Sequence, residues 1–550
     1  MGLHNDASPS PALQALPNEL LGSLCGLLCN RDIKSLRLTC RTLGEKSPLR
    51  LNRVFVSANP RNIEVLLAVA NHDVFRHRVK EIIWDDALLR NIPITNDYGP
   101  CGYSEDENDS DVCAANEDKE QISRDFVRLC KDSIGLTKGR LRHKDGHQCD
   151  LEVQKQVDNL LPSRDSVPYY ADLMKQQRDV LSSNTDEEAF RYAIQRFPQL
   201  RRVTITPAAH GFLFIPLYET PMIRAFPSGF VYPIPRAWPR DDILGPENCP
   251  EDCPEGWENE EEKGQWRGFC IVSKVLADCA ENLEISELVV DSHKLPAGID
   301  YTLFDKPNAE YDNLCKIVAR PGFRRFVFCI TTGHRENFEA EDCDIFKNGR
   351  ISSLLSKATD LEELVLQINY DFNAWFCSIE DSISLFDIFP VDAISTGKLR
   401  HLGLSGMRVK QDDLISFLGK LPSTLRSVNL SFLSLVRDHG NHATMLADIR
   451  DKLGWRHRPA SQRIEVSISM MLNQRLHGRY VCLDKEVQDY IYGDGPPPFV
   501  TTEGRIHAHF KYGTGIVYDE FDPGFAVPYE SSILKNGANL SLWRAQQSDT

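Results

Sequence analysis

Four cysteines have a spacing that could bind a metal ion. Cys249 and Cys253 are separated by three residues, and Cys270 and Cys279 follow. Thiolates are preferred ligands of structural zinc, and the first pair has a workable spacing for such a site. The second pair is nine positions apart and falls on a predicted helix at 266–280. We therefore favour a polar loop followed by a helix with two buried thiols, and we expect no metal.

Other combinations of reactive residues are incomplete. Asp106, Asn108 and Asp111 resemble part of a calcium-binding loop, but the turn glycine and the closing glutamate are missing. The sequence contains no phosphate-binding loop, dinucleotide-binding fingerprint, zinc-protease motif or serine-nucleophile motif. We therefore assign no catalytic, cofactor-binding or metal-binding residue and expect a protein that is not an enzyme.

The bulk composition limits the choice of partners and of compartment. The 550 residues carry a net charge of −16, which opposes generic binding to nucleic acid. The 16 cysteines follow a polar start, 1–11, that lacks the pattern of a secretory signal, so we interpret them as reduced thiols. Apolar runs are far shorter than the ~20 residues that span a bilayer. We expect a soluble cytoplasmic or nuclear protein that binds neither nucleic acid nor membranes.

The chain divides into segments of different composition. We predict a flexible tail at 1–11, a helical module at 12–57, a body at 58–475 and a C-terminal extension of unassigned fold at 476–550. Within the body, an acidic segment near 91–165 is too polar to fold on its own, and we predict a disordered insertion there. A second insertion near 206–265 is predicted to be a proline-rich acidic loop.

A repeated pattern organises the rest of the body. Leucine-x-x-leucine-x-leucine, or its aliphatic and aromatic equivalents, begins at Leu200, Ile285, Phe323, Leu361, Leu399 and Leu425. The four starts from 285 to 399 are each 38 residues apart. Alternating apolar positions are typical of a strand with one buried face, and helical patterns precede several of these strands.

Two architectures fit this repeat. Strands and helices that cannot bury their faces alone stack on the next pair, which favours an α/β fold of the irregular leucine-rich-repeat solenoid type. The alternative is an ordinary α/β domain with a parallel sheet. We expect the solenoid, with loop insertions that lengthen most of its repeats.

The helical module has an unusually high density of leucines. A helix is predicted to begin at Pro17, and Leu20, Leu21, Leu24, Leu27 and Leu28 then recur at helical spacing. Asn30 is a suitable N-cap for a second short helix. A unit of about 45 residues rarely has a core large enough to be stable alone. We therefore expect part of this apolar surface to be buried by the body or by a partner protein.

The module resembles a known family. The residues that carry the resemblance are Leu16-Pro17-Asn18-Glu19-Leu20-Leu21, then Leu24, Leu28, Asp32-Ile33, Leu36, Leu38 and Cys40-Arg41. In this order and spacing they resemble the F-box motif. The chain is also similar, more loosely, to fungal F-box proteins with degenerate leucine-rich repeats.

The resemblance implies a function. An F-box is a helical bundle that docks on the Skp adaptor of a cullin-RING ubiquitin ligase, while the rest of the chain holds the protein substrate for ubiquitin-dependent degradation. Carried over position by position, the adaptor-binding residues would be Leu16, Pro17, Leu20, Leu21, Leu24, Leu28, Ile33 and Leu36. The substrate and its binding residues are not indicated by the sequence.

A second interpretation keeps the body and drops the ligase. Lys34 stands where the family often has an aliphatic residue, and Leu43 where it often has tryptophan. In this interpretation the chain is a ligase-independent scaffold for protein–protein interaction, and its first helices only cap the body.

Overall fold

The structure is a computed structural model of the 550-residue chain, and parts of the chain lie outside its description. The residues outside it are 1–12, 14–15, 29, 48, 93–122, 143–147, 236–237, 239–256, 258, 280–282, 296, 333–343, 370–381, 437, 473–477, 501–508, 511–512 and 530–550. The fold described below comprises the remaining residues.

A large parallel sheet forms the centre of the molecule. Its strands are β1 (Arg53–Val56), β2 (Glu81–Asp85), β3 (Arg202–Thr206), β4 (Glu287–Val290), β5 (Ile299–Asp300), β6 (Arg325–Thr331), β7 (Glu363–Asn369), β8 (His401–Ser405), β10 (Ser427–Asn429) and β12 (Glu465–Ser467). The neighbours across the sheet are β1-β2-β3-β4-β6-β7-β8-β10-β12, and β5 pairs with β6. All of these pairings are parallel.

The predicted leucine-rich solenoid is wrong. The chain has an α/β fold built on this one large parallel sheet, as in the alternative that we considered. The segments that connect the strands are unequal, with 57–80 between β1 and β2 but 86–201 between β2 and β3. The sequence pattern did not separate the two folds, because any parallel strand covered by helices on one face needs alternating apolar residues.

The strands themselves occur where the pattern predicts them. Each of the six predicted starts is followed by a strand of the large sheet. The second apolar position of each of the six repeats falls in one register layer. With Val54, Ile82 and Val466 from the other strands, this layer consists of Val54, Ile82, Val203, Leu288, Phe326, Leu364, Leu402, Val428 and Val466. These nine side chains are almost fully buried in a single core. Burial of each contributes about 1.5–3 kcal/mol relative to exposure.

Helices connect the strands and cover this apolar layer. The helices of the body are α4 (Pro60–Ala70), α5 (Arg124–Arg142), α6 (Gln148–Asp158), α7 (Ser163–Ser183), α8 (Thr185–Ile194), α9 (Arg267–Asp278), α10 (Ala309–Val318), α11 (Asp344–Lys347), α12 (Arg350–Ser356), α13 (Leu385–Ile388), α14 (Val391–Ser395), α15 (Gln411–Leu418), α16 (His442–Lys452) and α17 (Asp484–Tyr492). Along the layer α9 contacts α10, α10 contacts α12, and α15 contacts α16. The helix predicted at 266–280 corresponds to α9.

The amino-terminal end of the sheet carries alternating charges. The residues that face one another there are Arg53, Glu81, Arg202, Glu287, Arg325 and Glu363, in that order across six strands. Arg202 Nη2 lies 2.6 Å from Glu287 Oε2, and Arg325 Nε lies 3.0 Å from Glu363 Oε1. Opposite charges on adjacent strands favour this register over a slipped one. We call these six residues the charge ladder.

The insertions have a core of their own. Residues of α5, α7 and the segment after β3 form a second apolar cluster around Phe126, Tyr170, Leu213 and Phe230. The predicted disordered insertion near 91–165 thus contains α5 and α6, and its acidic part, 93–122, lies outside the described residues. The predicted loop near 206–265 includes irregular segments at 207–235 that pack into this cluster.

The C-terminal part of the chain forms small additional sheets. β9 (Arg408–Val409) pairs with β11 (Ser434–Leu435), and β15 (Phe499–Val500) pairs with β16 (His509–Phe510). An antiparallel sheet consists of β13 (Ser469–Met471), β14 (Arg479–Cys482), β17 (Ile516–Asp519) and β18 (Ala526–Pro528). The predicted extension at 476–550 therefore contributes β14 to β18 and α17. Within the described residues, no helix is both long and apolar enough to cross a bilayer.

Candidate functional site

The N-terminal module contains three short helices. They are α1 (Asn18–Leu27), α2 (Asn30–Thr39) and α3 (Arg41–Lys46). Pro17 precedes the first residue of α1, and Glu19 lies in the first turn, where a negative charge complements the helix dipole. The sulfur of Cys40 accepts a hydrogen bond from the backbone N–H of Leu43 and so caps α3. Sequence reasoning predicted the first two helices and missed α3.

The core of the module is small and separate from the main core. Leu21, Cys25, Ile33 and Leu43 form it, and each is at most 4 % exposed. Leu28, Leu36, Cys40 and Leu49 pack against its edge. Because this cluster is not continuous with the apolar layer of the large sheet, the module packs as its own unit.

Polar contacts fix the three helices relative to one another. The side chain of Asn30 makes two hydrogen bonds with the backbone of Arg50, at 2.6 Å and 2.8 Å. Arg50 in turn donates to the carbonyl oxygen of Leu28 at 3.0 Å. Arg37 donates to the carbonyl oxygen of Ser47 at 2.6 Å. These bonds join the end of α1, the start of α2 and the exit from α3, so the module presents a defined surface.

A row of leucines on that surface faces outward. Leu20, Leu24 and Leu27 recur at four and three residues along α1, and they are 55 %, 38 % and 86 % exposed. Leu38, at the end of α2, is 87 % exposed. No described part of the chain covers these side chains. We call these four residues the leucine face.

The residues inferred from the F-box resemblance divide into two groups. Leu21 and Ile33 are buried in the module core, Leu28 and Leu36 pack at its edge, and Leu16 is half-buried. Pro17, Leu20 and Leu24 are exposed. The exposed group can contact a partner directly, whereas the buried group can act only by shaping the surface.

Leu27 and Leu38 were missing from the predicted adaptor-binding residues. The signal for Leu27 was present in the sequence, because Leu20, Leu24 and Leu27 follow one another at helical spacing. The signal for Leu38 is weaker. It lies five positions after the buried Ile33, so helical spacing places it on a different side of α2.

A second cluster of polar residues lies at the carboxyl end of β2. Asp85 and His210 are each about 1 % exposed, with Asp85 Oδ2 3.8 Å from His210 Nε2. This oxygen has no hydrogen-bond partner among the described residues. Burial raises the pKa of Asp85 to about 8, assisted by the neighbouring charge of Asp86 and opposed by the backbone N–H of Ala87. His210 Nδ1 lies 3.0 Å from the hydroxyl of Tyr232.

Asp86 extends this cluster toward α9. It accepts hydrogen bonds from the indole N–H of Trp238 at 2.9 Å and from the backbone N–H of Gly268 at 2.7 Å. Burial raises the pKa of Asp86 to about 6, and both donors and Arg267 limit the rise. Strongly perturbed acids at the carboxyl edge of a parallel sheet are typical of functional sites, but they also occur in structural networks. Here the hydrogen bond from Trp238 to Asp86 joins the insertion near 206–265 to the end of β2.

The cysteines considered as zinc ligands are only partly described. Cys249 and Cys253 lie outside the described residues. Cys270 lies on α9 and Cys279 follows its last turn, and burial raises the pKa of the Cys270 thiol. Among the described residues no group of three or more histidine, cysteine and acidic side chains could hold a metal. The calcium-like residues Asp106, Asn108 and Asp111 lie outside the description as well.

Comparison with known proteins adds no assignment. No protein-family model matches the sequence, and no curated protein sequence matches it significantly. What this chain does must therefore be inferred from its own motif and geometry.

Proposed function

We propose that this chain is the substrate-recognition subunit of a Skp-cullin-F-box ubiquitin ligase. The module at 12–57 binds the Skp adaptor, and the α/β body binds a protein substrate. The chain itself makes and breaks no bonds. It acts in the cytoplasm or nucleus as a soluble adaptor that raises the effective concentration of substrate lysines near the ligase.

The leucine face is the observation that carries this proposal. Three leucines along one helix and a fourth on the next helix are exposed, although burial of each would contribute about 1.5–3 kcal/mol. The three leucines of α1 share one side of that helix, and monomeric proteins rarely leave a contiguous apolar surface uncovered unless a partner binds it. The leucine face also coincides with the segment that resembles an F-box, whose partner is the Skp adaptor.

The separation of the two cores supports the proposal that the module binds the adaptor and the body binds the substrate. Because the module core and the main core are distinct clusters, a partner can dock on the module without disturbing the body. A link between them is the hydrogen bond from Arg78 to the carbonyl oxygen of Leu49, at 3.3 Å.

The ligase-independent scaffold is the second candidate. Leu43 is 4 % exposed inside the module core, so at this position the surface lacks the tryptophan that the family often has. In this alternative, the module caps the body and the leucine face binds no adaptor.

Removal of the module distinguishes the two functions. A variant lacking residues 1–50 keeps β1, which begins at Arg53 and belongs to the large sheet. The ligase proposal expects this variant to remain folded by circular dichroism and to lose co-purification with the Skp adaptor. The alternative, in which the module only caps the body, expects two other results. The deletion variant should unfold, and the intact chain should not bind the adaptor.

A further inference from the structure

A short acidic and aromatic segment near the C-terminus joins three distant parts of the chain. This segment, residues 519–522, begins at the last residue of β17, and we call it the clasp. Asp519 forms a buried ion pair with Arg140 of α5 and accepts a hydrogen bond from Arg479 at 2.8 Å. The clasp therefore connects the insertion after β2 to the C-terminal sheet.

The aromatic residue of the clasp fills an apolar site between two loops. Phe521 packs edge-on against Phe212 with ring centroids 5.0 Å apart, and both belong to a cluster with Ala208 and Leu295. Gly478 makes room for the ring, because a Cβ atom there would lie 2.5 Å from Phe521 Cδ2. The loops after β3 and β4 thus share one apolar contact with the clasp.

The remaining contact of the clasp uses a histidine. His293 Nδ1 lies 3.0 Å from Glu520 Oε1, and His293 Nε2 lies 3.4 Å from the hydroxyl of Tyr218. Asp291 Oδ2 is 3.8 Å from the same ring nitrogen as Glu520. Lys294, next in the chain, places its Nζ over the ring of Phe432. The groups that face His293 are thus two carboxylates, one phenol and one neighbouring ammonium.

The loop that carries this histidine has an uncommon backbone. His293 and Lys294 have φ values of +51° and +66°, in the left-handed region that non-glycine residues rarely occupy. Two consecutive residues in this conformation need contacts that hold them there. The pair with Glu520 is such a contact, so its loss allows the loop to relax.

We propose that His293 is a proton-operated latch that holds the clasp on the carboxyl edge of the large sheet, and that loss of its proton loosens the clasp there. In the charged form, the imidazolium lies between Asp291 and Glu520. In the neutral form these two carboxylates repel each other. A loosened clasp exposes more of the apolar cluster around Phe212 and Leu295 to solvent.

The direction of the pH effect follows from the surroundings. Burial by itself lowers the pKa of His293, but Asp291 and Glu520 outweigh it, so the pKa of this histidine is raised overall. A raised histidine pKa means that the latch is closed at low pH and opens as pH rises through the folded-state value.

Hydrogen–deuterium exchange on the full-length chain tests the latch. Peptides that cover 519–525 should lose at least tenfold in protection factor between pH 6 and pH 9. His293→Gln and Glu520→Gln should give low protection at both pH values. His457→Gln, at an exposed histidine outside this region, should behave like the wild type.

Two results would overturn the latch. One is equal protection of the clasp at pH 6 and pH 9 in the wild type, and the other is wild-type behaviour of both His293→Gln and Glu520→Gln. If His293→Gln does not fold, exchange of the C2 hydrogen of His293 still measures its pKa. That value should lie above the ordinary 6.5 in the wild type and fall in Glu520→Gln, and an unchanged value would contradict the proposal.

Discussion

Leu20 and Leu21 are consecutive residues of α1 with opposite surroundings. Leu20 is 55 % exposed, whereas Leu21 is fully buried in the module core. The truncation Leu21→Ala should lower the stability of the module by about 2–5 kcal/mol, because it leaves a cavity. Leu20→Ala should change stability by no more than about 0.5 kcal/mol. Hydrogen–deuterium exchange of peptides from α1, followed through thermal unfolding, measures the loss of stability in each variant. Equal losses in the two variants would contradict the placement of Leu20 at the surface and Leu21 in the core.

The two leucines missed in the sequence should contribute to docking. Leu27→Asp and Leu38→Asp each place a charge in a surface that becomes buried on binding, so each should weaken adaptor binding by at least tenfold. Their unfolding temperatures should stay within a few degrees of the wild type. Isothermal titration with the purified adaptor provides the affinities, and wild-type affinity in both variants would restrict the docking surface to the start of α1.

The charge ladder predicts a graded loss of stability at Arg202. Arg202→Gln removes the pairs with Glu81 and Glu287, whereas Arg202→Glu places a third carboxylate between them, so Arg202→Glu should lower the unfolding temperature further than Arg202→Gln. The effect should shrink in 1 M salt, because mobile ions screen partly exposed charges. Arg164→Glu, at an exposed arginine outside the ladder, is the control. Equal losses in Arg202→Gln and Arg202→Glu would argue against pairwise stabilisation.

Asp85 should make the stability of the protein depend on pH. Its pKa is about 8 in the folded chain, whereas an aspartate exposed to water has an ordinary pKa of 3.8, so between these values the unfolded state releases a proton that the folded state keeps. The folded state therefore loses stability as pH rises toward about 8. Unfolding temperatures from pH 5 to pH 9 should fall more steeply for the wild type than for Asp85→Asn. Asp494→Asn, at a fully exposed carboxylate, should retain the wild-type slope.

The sequence predicted local structure better than architecture. Alternation at Leu361, Leu364 and Leu366 located β7, and equal spacing located its neighbours, because apolar layers must align in a parallel sheet. The same alternation could not distinguish a solenoid from an ordinary α/β domain. The helix α3 has only six residues and no apolar stripe, so it depends on the Cys40 cap and on Leu43.

The polar clusters of the body had no signal in the sequence. Asp85 and His210 are 125 positions apart, and Glu520 and His293 are 227 apart. Only the order of the strands brings the loops after β2, β3 and β4 to one edge of the sheet. By contrast, the leucine face lies within residues 20–38, and helical spacing alone places Leu20, Leu24 and Leu27 on one side of α1.

Binding of the Skp adaptor to the full-length chain tests the central claim most directly. In a titration of the purified adaptor, the wild type should bind and the double variant Leu20→Asp with Leu24→Asp should lose at least a hundredfold in affinity. Leu151→Asp, at a leucine of α6 that is 65 % exposed, should bind like the wild type. Equal affinities of the wild type and the double variant, or no binding by either, would contradict the assignment to the ligase.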